Sequence, residues 1–313
     1  MTDDSHPESN PADDLPAAVE NGTDPPVEDE AESRKPQPRV FGRFAIWIVV
    51  FPFVFYLSGM SFATYMEDLR VKALSGKLHD HEEESSKPQE EIDIGPLEEK
   101  AREQGQTFLL GTLPLGENSY PYGYTYVILA TTVIMLVVGR GYFRAPFRIH
   151  WLSFVVGAVG VVVWIGLAYI DQHFIGIGES LSSGRRAFNP FEEMPYWSQE
   201  KIWKFVGLRF FGLVLVVPII EEFFVRGFLM RYVDDPDWDE IPLGQAKTWG
   251  WLSPTIYGVV AHLTEPVAAL VWFSLVSFVY KKTGSIWDCV VVHAVTNLLL
   301  GIYIIKFEAW HLW

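Results

Sequence analysis

Gly212-Leu213-Val214-Leu215-Val216-Val217-Pro218-Ile219-Ile220-Glu221-Glu222-Phe223-Phe224-Val225-Arg226 is the stretch on which the reading of this chain turns. It continues an apolar run that begins near Ile202. Runs of about 18 or more such residues call for hydrocarbon rather than water as their surroundings. Yet this run ends on two adjacent carboxylates and a guanidinium. Ionisable groups inside a bilayer are costly, so each one is a hypothesis about function. On a helix, Glu222 and Arg226 stand four positions apart and share a face, which lets them pair. Glu221 is turned about 100° away from Glu222. One carboxylate is thus neutralised by its own helix while the other points elsewhere, with the raised proton affinity that suits a general base.

Outward from this stretch the pattern repeats. The chain has 313 residues, 49% of them hydrophobic, and the apolar ones are concentrated in residues 41–66 and most of 120–313. The expected fold is all-α, a polytopic transmembrane bundle of about seven spans. They fall near 44–66, 124–138, 151–170, 202–220, 249–263, 266–280 and 286–305. Pro52 is placed to kink the first. Gly157, Gly160 and Gly166 in the third favour close helix contact. Arg34, Lys35, Arg39 and Arg43 precede the first span; Arg140, Arg144 and Arg148 follow the second. Arg226 and Arg231 end the fourth, and Lys281 and Lys282 the sixth. All these basic clusters fall on one side, so the positive-inside rule puts the N-terminus in the cytoplasm and the C-terminus outside.

The domain reading follows. Residues 1–40 are a disordered acidic cytoplasmic tail and 41–66 a first transmembrane anchor. Residues 67–118 form a hydrophilic non-cytoplasmic segment, and 119–313 form the membrane domain. The N-terminus is too polar for a secretory signal, so the first apolar stretch stays as an anchor. Most of the acid behind the net charge of -15 lies in the tail and in 67–105. That acidity argues against a nucleic-acid partner, which calls for a basic face. The cluster His79, Asp80, His81, Glu82, Glu83 and Glu84 reads as a solvated charge run, although such residues can bind metal. Tyr196 and Trp197 suit a place at the membrane interface. Cys289 is the single cysteine; it excludes an internal disulfide and reads as a packing residue.

Further polar residues lie inside apolar runs: Arg209, His262, His293 and Asn297. His293 and Asn297 share a helix face, and both can donate hydrogen bonds. Two converging donors can stabilise a developing oxyanion, or they can join helices. Glu221, His262 and His293 would together make a three-ligand zinc site with an open position. The His-Glu-x-x-His helix of common zinc proteases is absent from the sequence.

The order Glu221-Glu222-x-x-x-Arg226, then His262, then His293-x-x-x-Asn297 resembles the CAAX-processing and bacteriocin-processing (CPBP) membrane proteases, the family of the Ras-converting endopeptidase. The resemblance covers about residues 200–305, the motif core. It extends to Arg226-Gly227-Phe228-Leu229 and to Thr283-Gly284-Ser285-Ile286-Trp287. Within that family the chain is similar to the CAAX-protease-related proteins that accompany bacterial exosortase systems. That finer likeness rests on Phe228-Leu229-Met230-Arg231-Tyr232 and on His293-Ala294-Val295-Thr296-Asn297-Leu298-Leu299-Leu300-Gly301. One departure stands out: the family usually has phenylalanine four residues before its middle histidine, where this chain has Gly258.

The resemblance implies a type II CAAX prenyl endopeptidase-like enzyme of the bacterial inner membrane, glutamate-type or metal-dependent. Its substrate would be a membrane protein or lipidated protein, with exosortase-system components as further partners. Glu221 and His262 would activate a water, His293 and Asn297 would hold the oxyanion, and Glu222 and Arg226 would support the site. No cofactor is required by the pattern; a divalent metal such as zinc is the one candidate. The alternative is a non-catalytic membrane scaffold or immunity-type protein whose polar residues only hold helices together. With seven spans and the N-terminus inside, a reporter fused after Trp313 is expected to read as non-cytoplasmic. A cytoplasmic reading breaks this topology.

Overall fold

The computed structural model describes residues 40–75, 93–109, 111–181 and 188–313. The expected tail up to residue 39 and the cluster 79–84 lie outside the described residues. Helices are numbered in chain order: α1 (Ala45–Val49), α2 (Phe51–Leu74), α3 (Gly95–Glu103), α4 (Tyr120–Tyr142), α5 (Trp151–Ile170), α6 (Ile177–Leu181) and α7 (Pro190–Glu193). Then follow α8 (Gln199–Phe211), α9 (Val217–Phe224), α10 (Met230–Tyr232), α11 (Thr248–Ala261), α12 (Pro266–Thr283) and α13 (Ile286–Phe307). Among the described residues, three helical stretches are long and apolar enough to cross a membrane by length and composition: Tyr120–Tyr142, Trp151–Ile175 and Ile286–Phe307.

The fold is mostly helical, with one addition to the expected all-α architecture. Thr107–Phe108 pairs antiparallel with Leu113–Pro114 as a short β ribbon. Its turn uses Gly111 at φ +78° and Leu109 at φ +55°. Two-residue strands carry no alternation for a sequence to display. The first span starts as expected but breaks at Val50, just before Pro52, which sits in the first turn of α2 where its missing N–H costs nothing. α2 then runs past the apolar residues to Leu74. Its polar end is tied to α3 by Arg70, which contacts Glu67 at 2.5 Å and Glu98 at 2.8 Å.

Residues 199–232 form one unbroken helical rod whose winding changes twice. Gly212–Val216 and Val225–Leu229 are π-turns on either side of α9. A π-turn takes in one extra residue and tends to occur where function requires a change of face. Pro218 gives the first π-turn a consequence. The Val217 N–H bonds to the Gly212 carbonyl. The next position, Pro218, has no N–H to offer the Leu213 carbonyl. That carbonyl is met from another helix: Asn297 Nδ2 donates to it at 2.8 Å.

α13 is the central helix, packed against α5, α9 and α12. At its start, buried Asp288 accepts from the His150 N–H at 2.7 Å and from Ser153 Oγ at 2.5 Å, capping α5 from a neighbouring helix. Cys289 is buried, with Sγ beside the Ser285 carbonyl, in keeping with packing. Of the three glycines in α5, two make close helix contacts. A Cβ at Gly157 would lie 2.7 Å from Val295 and 2.9 Å from the Val292 carbonyl, and one at Gly160 would lie 3.1 Å from Thr296 and Trp272. Thr296 Oγ1 uses the close approach to donate to the Gly157 carbonyl at 3.0 Å. Gly166 faces open space.

Tyr196 and Trp197 also hold a loop. The Tyr196 hydroxyl accepts from the Asn118 N–H, and Lys201 Nζ lies 3.8 Å from the Trp197 ring centroid. Arg226 and Arg231, at the end of the expected fourth span, are buried. Arg231 donates to the carbonyls of Gly227 and Ile241, joining the rod to the loop that follows it.

Gly157→Val drives a side chain into backbone on α13, and overpacking of this kind costs about 1–3 kcal/mol. Thermal melting in detergent is expected to show a lower midpoint for Gly157→Val and little change for Gly166→Val. Equal midpoints for the two variants would contradict this packing.

Candidate active site

The site assembles from three helical units. The rod contributes Glu221 and Glu222, the end of α11 contributes Tyr257 and His262, and α13 contributes His293 and Asn297. Glu221, Tyr257, His262, His293 and Asn297 line one cavity of about 330 Å³. The two supporting residues lie behind it. Glu222 and Arg226 are both completely buried, with Arg226 Nη1 2.6 Å from Glu222 Oε2. Removing one partner of such a pair leaves an uncompensated buried charge, at a cost of about 3–5 kcal/mol.

Glu222 does more than the self-pairing that its spacing suggests. Its second oxygen, Oε1, lies 3.0 Å from His293 Nδ1. An ionised carboxylate only accepts, so Nδ1 carries the proton, and the ring turns Nε2 the other way. Nε2 lies 4.0 Å from Glu221 Oε2. The neutral ring thus offers a lone pair on the Glu221 side, and it becomes a donor there only with a second proton. Trp272 packs edge-on against this ring at 4.9 Å and limits its rotation.

Asn297 sits one turn further along the same face of α13. One of its N–H groups is committed to the Leu213 carbonyl. An amide has two, so one donor remains for the cavity that Asn297 lines. His262 is the C-cap of α11, and its Nδ1 is 3.0 Å from the Gly258 carbonyl. Donation from Nδ1 leaves Nε2 as an acceptor. The ring is flanked by Trp164 at 5.4 Å and Phe273 at 5.6 Å.

Two participants were not singled out as site residues from the sequence. The Tyr257 hydroxyl donates to Glu221 Oε1 at 3.1 Å. Its signal is faint, a tyrosine in an apolar run five positions before His262. The other is Phe273 on α12. A Cβ at Gly258 would collide with the Phe273 ring. That ring also packs against Tyr257 at 5.8 Å and lies 5.7 Å from Arg226 Cζ. The space beside Gly258 on α11 is thus filled by a ring from α12.

Glu221 and His293 approach each other, and His262 lines the same cavity. Among the described residues, however, no three His, Cys, Asp or Glu side chains are grouped as a metal ion needs. The expected Glu221–His262–His293 ligand set does not fit as arranged, with His262 held to its own helix end.

Residues 203–299 match the family model described as type II CAAX prenyl endopeptidase, Rce1-like. The match covers just under a third of the chain. It contains all six residues of the constellation and ends two positions after Asn297. No curated protein and no solved structure matches the chain.

The contact between Gly258 and Phe273 has a measurable signature. Gly258→Ala is expected to lower the melting midpoint, because overpacking of about 1–3 kcal/mol exceeds the roughly 1 kcal/mol that alanine contributes to a helix. In a Phe273→Ala background the same substitution is expected to be neutral or stabilising. Additive effects in this double-mutant cycle would contradict the contact.

Proposed function

We propose that the chain is an intramembrane endopeptidase that hydrolyses a peptide bond of a membrane-associated or lipidated protein. The observation that carries the reading is the lining of one cavity by Glu221, His262, His293 and Asn297, drawn from three helical units within the matched segment. The family description supports a peptidase with a protein substrate.

In this reading a water molecule sits between Glu221 and His262. Glu221 takes its proton as the water oxygen bonds to the carbonyl carbon. The carbonyl oxygen becomes an oxyanion and receives the free N–H of Asn297 and the Nε2 edge of His293. Collapse breaks the carbon–nitrogen bond. The leaving nitrogen takes the proton from Glu221, giving a carboxylic acid and an amine, and the acid's proton then passes to the amine. Tyr257 holds Glu221 by its outer oxygen. Glu222 fixes the His293 ring, and Arg226 balances Glu222. His293 donates to the oxyanion in the form that carries a proton on Nε2 as well as on Nδ1.

The helices support an integral membrane protein, and the reading extends them to seven spans in a bacterial inner membrane. The shorter α11 and α12 are joined at Thr264-Glu265-Pro266 and would cross as a pair. One observation favours the scaffold alternative: the bonds from His293 to Glu222 and from Asn297 to Leu213 also tie α13 to the rod.

Glu221→Gln and His293→Ala separate the two readings. Each is expected to reduce cleavage by about two to four orders of magnitude while the protein stays folded. Membrane proteins that accumulate uncleaved in cells carrying Glu221→Gln would be its substrates. Cleavage at the wild-type rate by either variant would sink the proposal. Loss of folding in both, with no proteolysis by the parent chain, would favour the scaffold.

A further inference from the structure

The wall of the candidate active site reaches outside the segment that matches the family. α2 precedes residues 203–299, yet Phe53, Tyr56, Leu57 and Met60 all line the cavity that holds Glu221. Positions 53, 56, 57 and 60 share one face of a helix. Two contacts hold α2 in this place. Its backbone comes close to α4, where a Cβ on Gly59 would lie 2.8 Å from Val127 and one on Gly123 would lie 2.6 Å from Ala63. Phe53 meets the rod, stacking on Phe224 with 4.4 Å between ring centroids and packing with Val216 and Ile220.

Phe53 is 2% exposed and also meets Tyr257 edge-on at 6.0 Å. Tyr257 meets Phe224 at 6.2 Å and Phe273 at 5.8 Å, again edge-on. Three rings from α2, α9 and α12 thus surround one tyrosine of α11, whose hydroxyl donates to Glu221 Oε1. A tyrosine hydroxyl lies on the axis of its ring, so a ring flip leaves it in place. Only a change of χ1, to a well about 120° away, carries it off the carboxylate. The surrounding rings oppose that movement. With Oε1 held, Glu221 keeps Oε2 toward His293 Nε2, 4.0 Å away. The terminal torsion of an unheld carboxylate is broad and two-fold, and its two oxygens exchange places.

We propose that Phe53 is a positioning residue that holds Tyr257 on Glu221, and that α2 is thereby part of the active site. The inference rests on the peptidase reading for the reaction that Glu221 carries out. Phe224 and Phe273 lie inside the matched segment, and Phe53 is the ring supplied from outside it. One edge contact between rings shifts a balance of rotamers roughly two- to tenfold. The packing of α2 against the rod therefore sets the fraction of molecules in which Oε2 is presented to a water.

A fluorine label reads Tyr257 directly in the full chain, in detergent. 3-Fluorotyrosine is placed at position 257, and its resonance is recorded with Glu221 and with Glu221→Gln. The difference between the two is the signature of the hydrogen bond. Phe53→Leu and Phe53→Met remove the ring and keep most of its volume. Each is expected to shrink that difference by about half or more. Phe53→Tyr keeps a ring and should keep the difference. Phe62→Leu, at an exposed position of the same helix, should leave it unchanged. A difference that survives loss of the Phe53 ring overturns the proposal. Should neither ring-removing variant fold, 4-fluorophenylalanine at position 53 leaves the packing in place. Its line is expected to move on Glu221→Gln, and a line that stays overturns the proposal. Cleavage of the membrane proteins that accumulate with Glu221→Gln is scored separately. Phe53→Leu is expected to lower kcat roughly two- to tenfold with KM unchanged, and to add nothing in a Tyr257→Phe background. Additive losses overturn the proposal. No cleavage by the parent chain, with the fluorine signature intact, refutes the peptidase reading and leaves Phe53 holding the carboxylate.

Discussion

A carboxylate shut away from water must find its counter-charges inside the protein, and Glu222 is where this structure meets that demand. One oxygen faces Arg226 on the same helix, and the other faces His293 on α13. Bringing those three groups together fixes the depth of α13 against the rod and the tilt of the His293 ring. It also decides which nitrogen of that ring looks into the cavity. The other site residues gain a common centre only once α13 and the rod are in this register. Charge is expensive to bury and more expensive to bury alone. The pairing therefore acts as a positional constraint as much as a source of stability.

The second constraint is the backbone of the rod. Two π-turns bracket the glutamates, and each resets the direction in which later side chains point. The first leaves the Leu213 carbonyl without a partner in its own helix because Pro218 follows at the position that would have supplied one. Asn297 answers that carbonyl from α13. A local irregularity is thus stabilised by a tertiary hydrogen bond, and the same amide has a second N–H facing the cavity side. Structure and chemistry share one side chain here, which is why a scaffold role and a catalytic role are hard to separate by inspection of contacts.

Much of this was legible in the sequence where it followed from helical spacing. Glu222 and Arg226 pair because they are four apart, and His293 and Asn297 share a face for the same reason. The helices near 151–170 and 286–305 were marked by length and apolarity. Features that depend on departures from spacing were not legible. The π-turns leave no compositional mark, so the bond from Asn297 to the Leu213 carbonyl could not be anticipated. Tyr257 reaches Glu221 only through the way α11 packs. Arg226 and Arg231 read as the end of the fourth span, and their burial among backbone and aromatic partners follows from packing that spacing does not display. The β ribbon and the capping of α5 by Asp288 arise from contacts between segments far apart in the chain.

Gly258 carries the lesson further. The space that a side chain at this position would claim is taken by Phe273, which belongs to a different helix. The two helices can come this close only while position 258 carries no Cβ or the ring opposite gives way. A hydrogen atom at one position is therefore the condition for an aromatic ring at the other. The absence of a side chain on α11 is itself a packing element, and it sets how near α12 can stand to Tyr257 and His262.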